Sequence, residues 1–356
     1  MQSDIAQMLQ MMDRPAFLVQ DGIITAANQA ALGRMIPVGQ PIAPLLSIGK
    51  TEYAGFTEGW MYLTVCPGGT DAVACVRRLE QCDLFMLEPE QAEETYQGLA
   101  LAAQKLRVPL TGIFTMADRL FPSLQLAEGS PEAEQAAKIN RNLHQMLRII
   151  LNMSDAAHYS SGTPIMETRD VNAVLAELFE QAAPLCELSG IRLEYSGLSR
   201  PVYSLINSDQ LERCVYNILS NALQHTPAGG SVHASLTRSG NTLYLTVTDT
   251  GTGLNPQKTG NLYTRFLREP SIQDPEQGVG LGMTLIRACA NAHGGSLLIA
   301  PAKSGGVKVT VSLPIRLGIT QLSSPRPHID YAGERDHRLI EFSDSLPHSL
   351  YHPKDH

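Results

Sequence analysis

Asn217 and Asn221 stand four residues apart in a helical run, 209–224, so both amides share one helix face. Neutral amide oxygens placed this way can help hold a magnesium ion that keeps several waters and bridges phosphates. Taken alone, such a pair is more often a solvated face. A second group, Asp249-Thr250-Gly251-Thr252-Gly253, ends a β-like run in a carboxylate and two glycines. A carboxylate there can accept a hydrogen bond from an exocyclic amine of a planar base, and glycines let backbone approach it; by itself the same string is also a plain turn. A third group, Gly278-Val279-Gly280-Leu281-Gly282, opens an apolar helical stretch. Backbone N–H groups and the dipole at such a helix start favour anionic phosphate. No strand precedes these glycines, because Pro270 and Pro275 flank the run before them, so a dinucleotide-binding fold is excluded. Between the second and third groups, 254–277 reads as a long loop around Arg265 and Arg268, either of which could reach phosphate from a lid.

The elements that would carry these groups alternate. Helices are expected at 171–183, 209–224 and 281–292, and strands at 191–195, 231–236, 242–248, 296–299 and 307–313, which makes one helical layer against one mixed sheet. Upstream, Leu99, Ala103, Leu106, Leu110, Ile113, Ala117 and Leu120 recur at steps of three and four, and Ile139, Leu143, Met146, Ile150 and Met153 repeat the pattern after a break at Pro122, Gly129 and Pro131. Two such helices form an antiparallel hairpin, whose broad apolar face predicts pairing with a second copy into a four-helix bundle. Before that, β-like runs at 17–19, 23–26, 59–65, 71–76 and 84–87, with a helical piece after the second, predict a small α/β module.

Order decides among the local alternatives. The asparagine helix, strand-end Asp-x-Gly-x-Gly, arginine-bearing loop and Gly-x-Gly-x-Gly before a helix ending in Ala292-His293-Gly294-Gly295 resemble the catalytic domain of the GHKL ATPase superfamily, specifically bacterial sensor histidine kinases. The resemblance covers 171–314. It implies a Bergerat-type α/β sandwich holding ATP and magnesium, with Asn217 and Asn221 near the metal and Asp249 on adenine. Gln224, Gly251, Gly253, Arg265, Arg268, Gly278, Gly280 and Gly282 complete the implied nucleotide site. It also extends to Leu106-Arg107-Val108-Pro109-Leu110-Thr111, which in that family follows a phospho-acceptor histidine and an acidic residue. Here those two positions are Gln104 and Lys105. A glutamine amide nitrogen is not a nucleophile toward phosphorus, and a lysine cannot orient an imidazole as a carboxylate does. His144 and His158, on or after the second long helix, are weak alternative acceptors. The run PAFLVQDGIITAANQAALGRM resembles the start of a PAS domain.

The expected layout is therefore α+β and multidomain: a PAS-like sensor or spacer module (1–89), a helical hairpin with a degenerate acceptor (90–160), an ATP-binding catalytic domain (161–315) and a flexible tail (316–356). At about 150 residues per domain, 356 residues suit two or three compact units. The formal net charge of −8 argues against nucleic acid as a partner. No long apolar run suggests a membrane span or leader, so a cytoplasmic location is expected. Six scattered cysteines without a C-x-x-C pair read as reduced core thiols. His348, His352 and His356 are spaced by four, but Pro347 and Pro353 break any helix that would align them on a metal. The expected function is a two-component sensor kinase relative that binds Mg-ATP. Self-phosphorylation is impaired, a response regulator or partner histidine kinase stands downstream, and a nucleotide-gated pseudokinase is the alternative.

Overall fold

A computed structural model describes residues 9–79, 81–88, 92–124, 127, 129–161, 165–253, 281–318 and 335–351. Thirteen strands and eight α-helices occur among them, in a mixed α+β arrangement. They fall into two compact units, one of residues 1–92, 234–278 and 287–315, the other of 93–233, 279–286 and 316–356.

The first unit is built on a sheet. Its strands are β1 (Ala16–Gln20), β2 (Ile23–Ala27), β3 (Leu46–Ile48), β4 (Trp60–Val65), β5 (Ala72–Arg78) and β6 (Asp83–Leu87), with short helices α1 (Gln29–Gly33) and α2 (Lys50–Ala54) inserted. Asn28 fixes the entry to α1: its Oδ1 accepts from the N–H groups of Ala31 (2.9 Å) and Ala16 (3.0 Å), which caps the helix and ties it to β1. One face of this sheet closes over Phe17, Phe56, Met61, Val76 and Phe85, all buried. The later strands β10 (Ser231–Ser239), β11 (Thr242–Asp249), β12 (Leu297–Pro301) and β13 (Val307–Pro314) continue the same sheet, in the order β2-β1-β6-β5-β4-β12-β13-β11-β10. The join is β4 with β12, antiparallel, with Leu297 opposite Tyr62 and Ile299 opposite Trp60. Side chains reinforce it: Arg287 pairs with Glu88 and lies over the Tyr62 ring at 5.5 Å, and Thr64 donates to Asn291 at 2.9 Å. The two sets of strands, expected from sequence in separate modules, thus share one sheet.

The second unit is built on helices. Two long helices, α3 (Ala92–Ser123) and α4 (Pro131–Ser161), occupy the stretch where the sequence pattern predicts helices. Ser130 Oγ accepts from Ala133 N–H at 3.1 Å, Pro131 occupies the first turn and Glu132 and Glu134 face the positive end of the dipole, all signals for a helix start. The buried stripe is narrower than the sequence pattern. Ala103, Leu110, Phe114, Ala117, Leu143, Leu147, Ile150 and Met153 form the core, whereas Leu106, Ile113, Leu120, Ile139 and Met146, expected in the seam, are 46–53% exposed. The apolar residues of each helix span more arc than one neighbour can cover.

The rest of this unit comprises β7 (Glu167–Asp170), α5 (Val171–Leu188), β8 (Arg192–Ser196), β9 (Tyr203–Ile206) and α6 (Ser208–His225). Strands β7 and β9 pair with each other and were not foreseen, being four residues each with little apolar alternation. The composition of 316–356 predicts a flexible tail, and here the structure differs. Residues 335–351 form α8 (His337–Glu341) and a 3₁₀ turn, His348–Tyr351, with Ile340, Phe342, Leu346 and Tyr351 buried. Four apolar anchors in a polar stretch are too sparse to read as an element, yet each fills a gap in a core made elsewhere. Among the described residues no helix is long and apolar enough to cross a membrane. All six cysteines are free, four of them buried, and burial pushes Cys75 up to about 11 and Cys186 up to about 12.

Candidate functional site

Helix α7 (Leu281–Ala292) begins where the third glycine group ends, and its Gly282 lies against α6. Asn207 caps α6 by accepting from Gln210 N–H at 2.8 Å, and the helix then buries Leu211, Cys214, Val215, Ile218, Leu219 and Ala222. That apolar stripe carries Asn217 inward with it. Its side chain is fully buried, its Nδ2 donates to the Arg213 carbonyl at 2.8 Å, and its Oδ1 has no hydrogen-bond partner among the described residues. A buried carbonyl oxygen left without a partner calls for an explanation, an ion or water among them. Gly282 lies directly against it: a Cβ there would stand 2.7 Å from Asn217 Oδ1. Asn221, one turn further along, is half-buried on the same face, and Gln224 is exposed.

A separate cluster of a carboxylate and glycines lies in the first unit. Along β11 the alternation is strict, with Leu243, Leu245 and Val247 buried, and Asp249 keeps that inward parity at 6% exposure. Its Oδ1 accepts from Gly251 N–H at 2.9 Å and Val307 N–H at 3.2 Å, so two backbone donors orient the carboxylate. Gly306 makes that approach possible. Its φ is +79° and a Cβ would come within 2.2 Å of the Asp249 carbonyl and 2.5 Å of its Oδ1. Gly253, at φ +71°, packs beside Gly306.

The remaining sequence candidates divide sharply. Gln104 and Lys105 are exposed on α3, with Pro109 inside the helix four residues after Lys105. His144 is 1% exposed, its Nδ1 2.8 Å from the Asn140 carbonyl and its ring packed against the edges of Phe114 and Tyr351. His158 is exposed in the last turn of α4. Arg265, Arg268, Gly278 and Gly280 lie outside the described residues, as do His352 and His356. Among the described residues no group of three or more His, Cys, Asp or Glu could hold a metal. Sequence reasoning missed Gly306 and Val307. The only signal was the Gly305-Gly306 pair between two strand runs, which reads as a hairpin turn and nothing more.

The Asn217 amide oxygen with Gly282 against it has the donor chemistry a hydrated magnesium would accept, and the oriented Asp249 carboxylate, in the other unit, has that of an acceptor for a base amine. Gly282→Ala is then expected to displace the Asn217 amide and weaken magnesium-supported nucleotide binding about tenfold, the worth of one hydrogen bond of about 1–1.5 kcal/mol. Calorimetry with a non-hydrolysable ATP analogue measures it, and an unchanged Kd in a folded variant counts against this role for the amide.

Residues 206–317 match the family described as histidine kinase-, DNA gyrase B-, and HSP90-like ATPase. Over longer stretches the chain is similar to sensor protein KdpD of Escherichia coli, 31% identical over 226 residues, which is 61% of this chain and 24% of that protein. It is also similar to histidine protein kinase DivJ of Caulobacter vibrioides, 28% identical over 237 residues, 64% of this chain and 39% of that one. Alginate biosynthesis sensor protein KinB of Pseudomonas aeruginosa is 24% identical over 82% of this chain and 47% of its own length. The chain thus spans less than half the length of each of these relatives. Glycine groups, asparagine helix and strand-end aspartate fall inside the matched segment, so residues 206–317 are an ATPase domain of the GHKL type, in a chain related to the bacterial sensor histidine kinases.

Proposed function

We propose that the chain binds Mg-ATP and works in two-component signalling as a sensor histidine kinase relative whose own acceptor position has been lost. The observation that carries the nucleotide reading is the buried Oδ1 of Asn217, which has no hydrogen-bond partner among the described residues. Asn217 and Asn221 would hold the metal, Asp249 would accept from the adenine amine, and the glycines would admit backbone to base and phosphates. The family resemblance, not their placement, assigns these residues of two units to one ligand. Bound magnesium would neutralise charge on the phosphates as the terminal one is transferred. The chain's residues position the nucleotide and exclude side chains from the space it needs.

Calorimetric titration of the full chain with a non-hydrolysable ATP analogue, with and without magnesium, tests this. Saturable binding that tightens with the metal is expected; no heat at millimolar nucleotide would remove the proposal. With Gln104 and Lys105 exposed where the family carries its histidine and acid, the same geometry supports a second reading, a nucleotide-gated pseudokinase acting on a response regulator or a partner kinase. The half-exposed stripe of Leu106, Ile113, Leu120, Ile139 and Met146 supports a homodimer, and sedimentation as a monomer at micromolar concentration would reject that part. The N-terminal strands are read as a PAS-like sensor or spacer.

A further inference from the structure

A face of α6 next to its amides is covered by residues 335–351, which lie outside the matched ATPase segment. Phe342 meets the edge of Tyr216 with ring centroids 5.6 Å apart, and Ser345 Oγ donates to the Ser220 carbonyl at 3.4 Å. Between these contacts and α4 sits a buried ionic cluster. Glu341, 0% exposed, pairs with Arg213 of α6 and lies 3.6 Å from Arg148 of α4. Arg213 also donates through Nε to Asp155 of α4 at 2.6 Å, and Arg148 pairs with Asp344. Two guanidinium groups and three carboxylates thus close on one another, and Glu341 is the one that faces both arginines. The same strap holds α4 along its length: Arg141 donates to the Ser343 carbonyl at 2.9 Å, and Asn140 to the Tyr351 carbonyl at 3.2 Å.

Arg213 is one turn before Asn217, and its carbonyl receives the Asn217 amide hydrogen bond that aims Oδ1 toward Gly282. A side chain pinned between α4 and the strap fixes the rotation of α6 at that turn. A buried charge that loses its partner is destabilised and relaxes, so the helix should follow. We propose that Glu341 is a positioning residue for the metal side of the nucleotide site, holding α6 in register with the long helix α4 through Arg213 and Arg148. This rests on the reading of α6 as the metal-bearing helix. It makes residues 335–351 a working part of the ATPase domain and gives the hairpin a direct mechanical link to the nucleotide.

Glu341→Gln in the full chain tests it with two readouts. The first is the ratio of Kd for a non-hydrolysable ATP analogue without and with magnesium. We expect it to shrink about tenfold, while the metal-free Kd changes less than about twofold. The second is amide hydrogen exchange without nucleotide, expected to accelerate about tenfold or more around 213–220 of α6 and 144–152 of α4. Glu341→Asp keeps the charge on a shorter arm; it should give an intermediate ratio and serves if the amide variant does not fold. An unchanged ratio, or equal weakening of both Kd values, overturns the proposal, the second because a merely structural residue would act that way. If the unmodified chain binds no nucleotide, the site reading fails by itself. Exchange then still decides whether Glu341 couples the two helices.

Discussion

A Gln104→His, Lys105→Glu variant incubated with ATP labelled in its terminal phosphate is expected to become an acid-labile, base-stable phosphoprotein, whereas the unmodified chain acquires no such label on α3. Both positions are exposed on that helix and the Leu106-Arg107-Val108-Pro109-Leu110-Thr111 run follows them, so on the proposed reading the scaffold remains and only the reactive atom is missing. An imidazole supplies the lone pair that an amide nitrogen delocalises into its carbonyl, and a carboxylate next to it assists the proton. Gln104→His alone should label more slowly by about 100-fold, the lower range of what a positioned general base contributes. A double variant that binds nucleotide yet stays unlabelled would sink the assignment of the acceptor register. So would label in the unmodified chain that maps to His144, a residue the structure buries among Phe114, Asn140 and Tyr351.

Asp249→Ala is expected to weaken binding of the same analogue about 10- to 100-fold, with or without magnesium. A hydrogen bond to a charged group contributes about 1.5–3 kcal/mol, and this carboxylate is preset by two backbone N–H donors, so no reorganisation offsets its loss. The effect should be equal in the two conditions, because in the proposed site the carboxylate addresses the base and not the metal. That separates it from Gly282→Ala, whose effect appears only when magnesium is present. Equal Kd values for Asp249→Ala and the parent, in a variant with unchanged thermal unfolding, would mean that the base is recognised elsewhere.

The candidate residues could be picked out because the patterns that carry them are local in sequence. A carboxylate before two glycines, two amides four residues apart and glycines before a helix each declare a short-range geometry, and β11 adds a strict alternation that places Asp249 on the buried side. The caps at Asn207 and Ser130 are equally local, since a cap needs only its own first turn, though it took the structure to show them. Less could be read where a residue's role depends on a distant neighbour. The seam of α3 and α4 is an example: periodicity identified the apolar arc, but only packing shows that Leu110 and Phe114 are covered while Leu106 and Ile113 are not. Strands β7 and β9 escaped notice because each is only four residues long and each pairs with the other.

The sequence by itself determined that this chain carries a GHKL-type ATPase domain and that an amide and a lysine precede the Leu106-Arg107-Val108-Pro109-Leu110-Thr111 run. Both are statements about residue types in fixed short order, and neither needs a partner. Only the tertiary structure decided that β4 extends the sheet through β12, that Gly306 makes room for the Asp249 carboxylate, and that a C-terminal strap brings Glu341 to Arg213 and Arg148. Those contacts join residues between about 60 and more than 200 positions apart. Such contacts form only once the intervening chain has closed, and no local pattern encodes which distant side chain will be there to meet them.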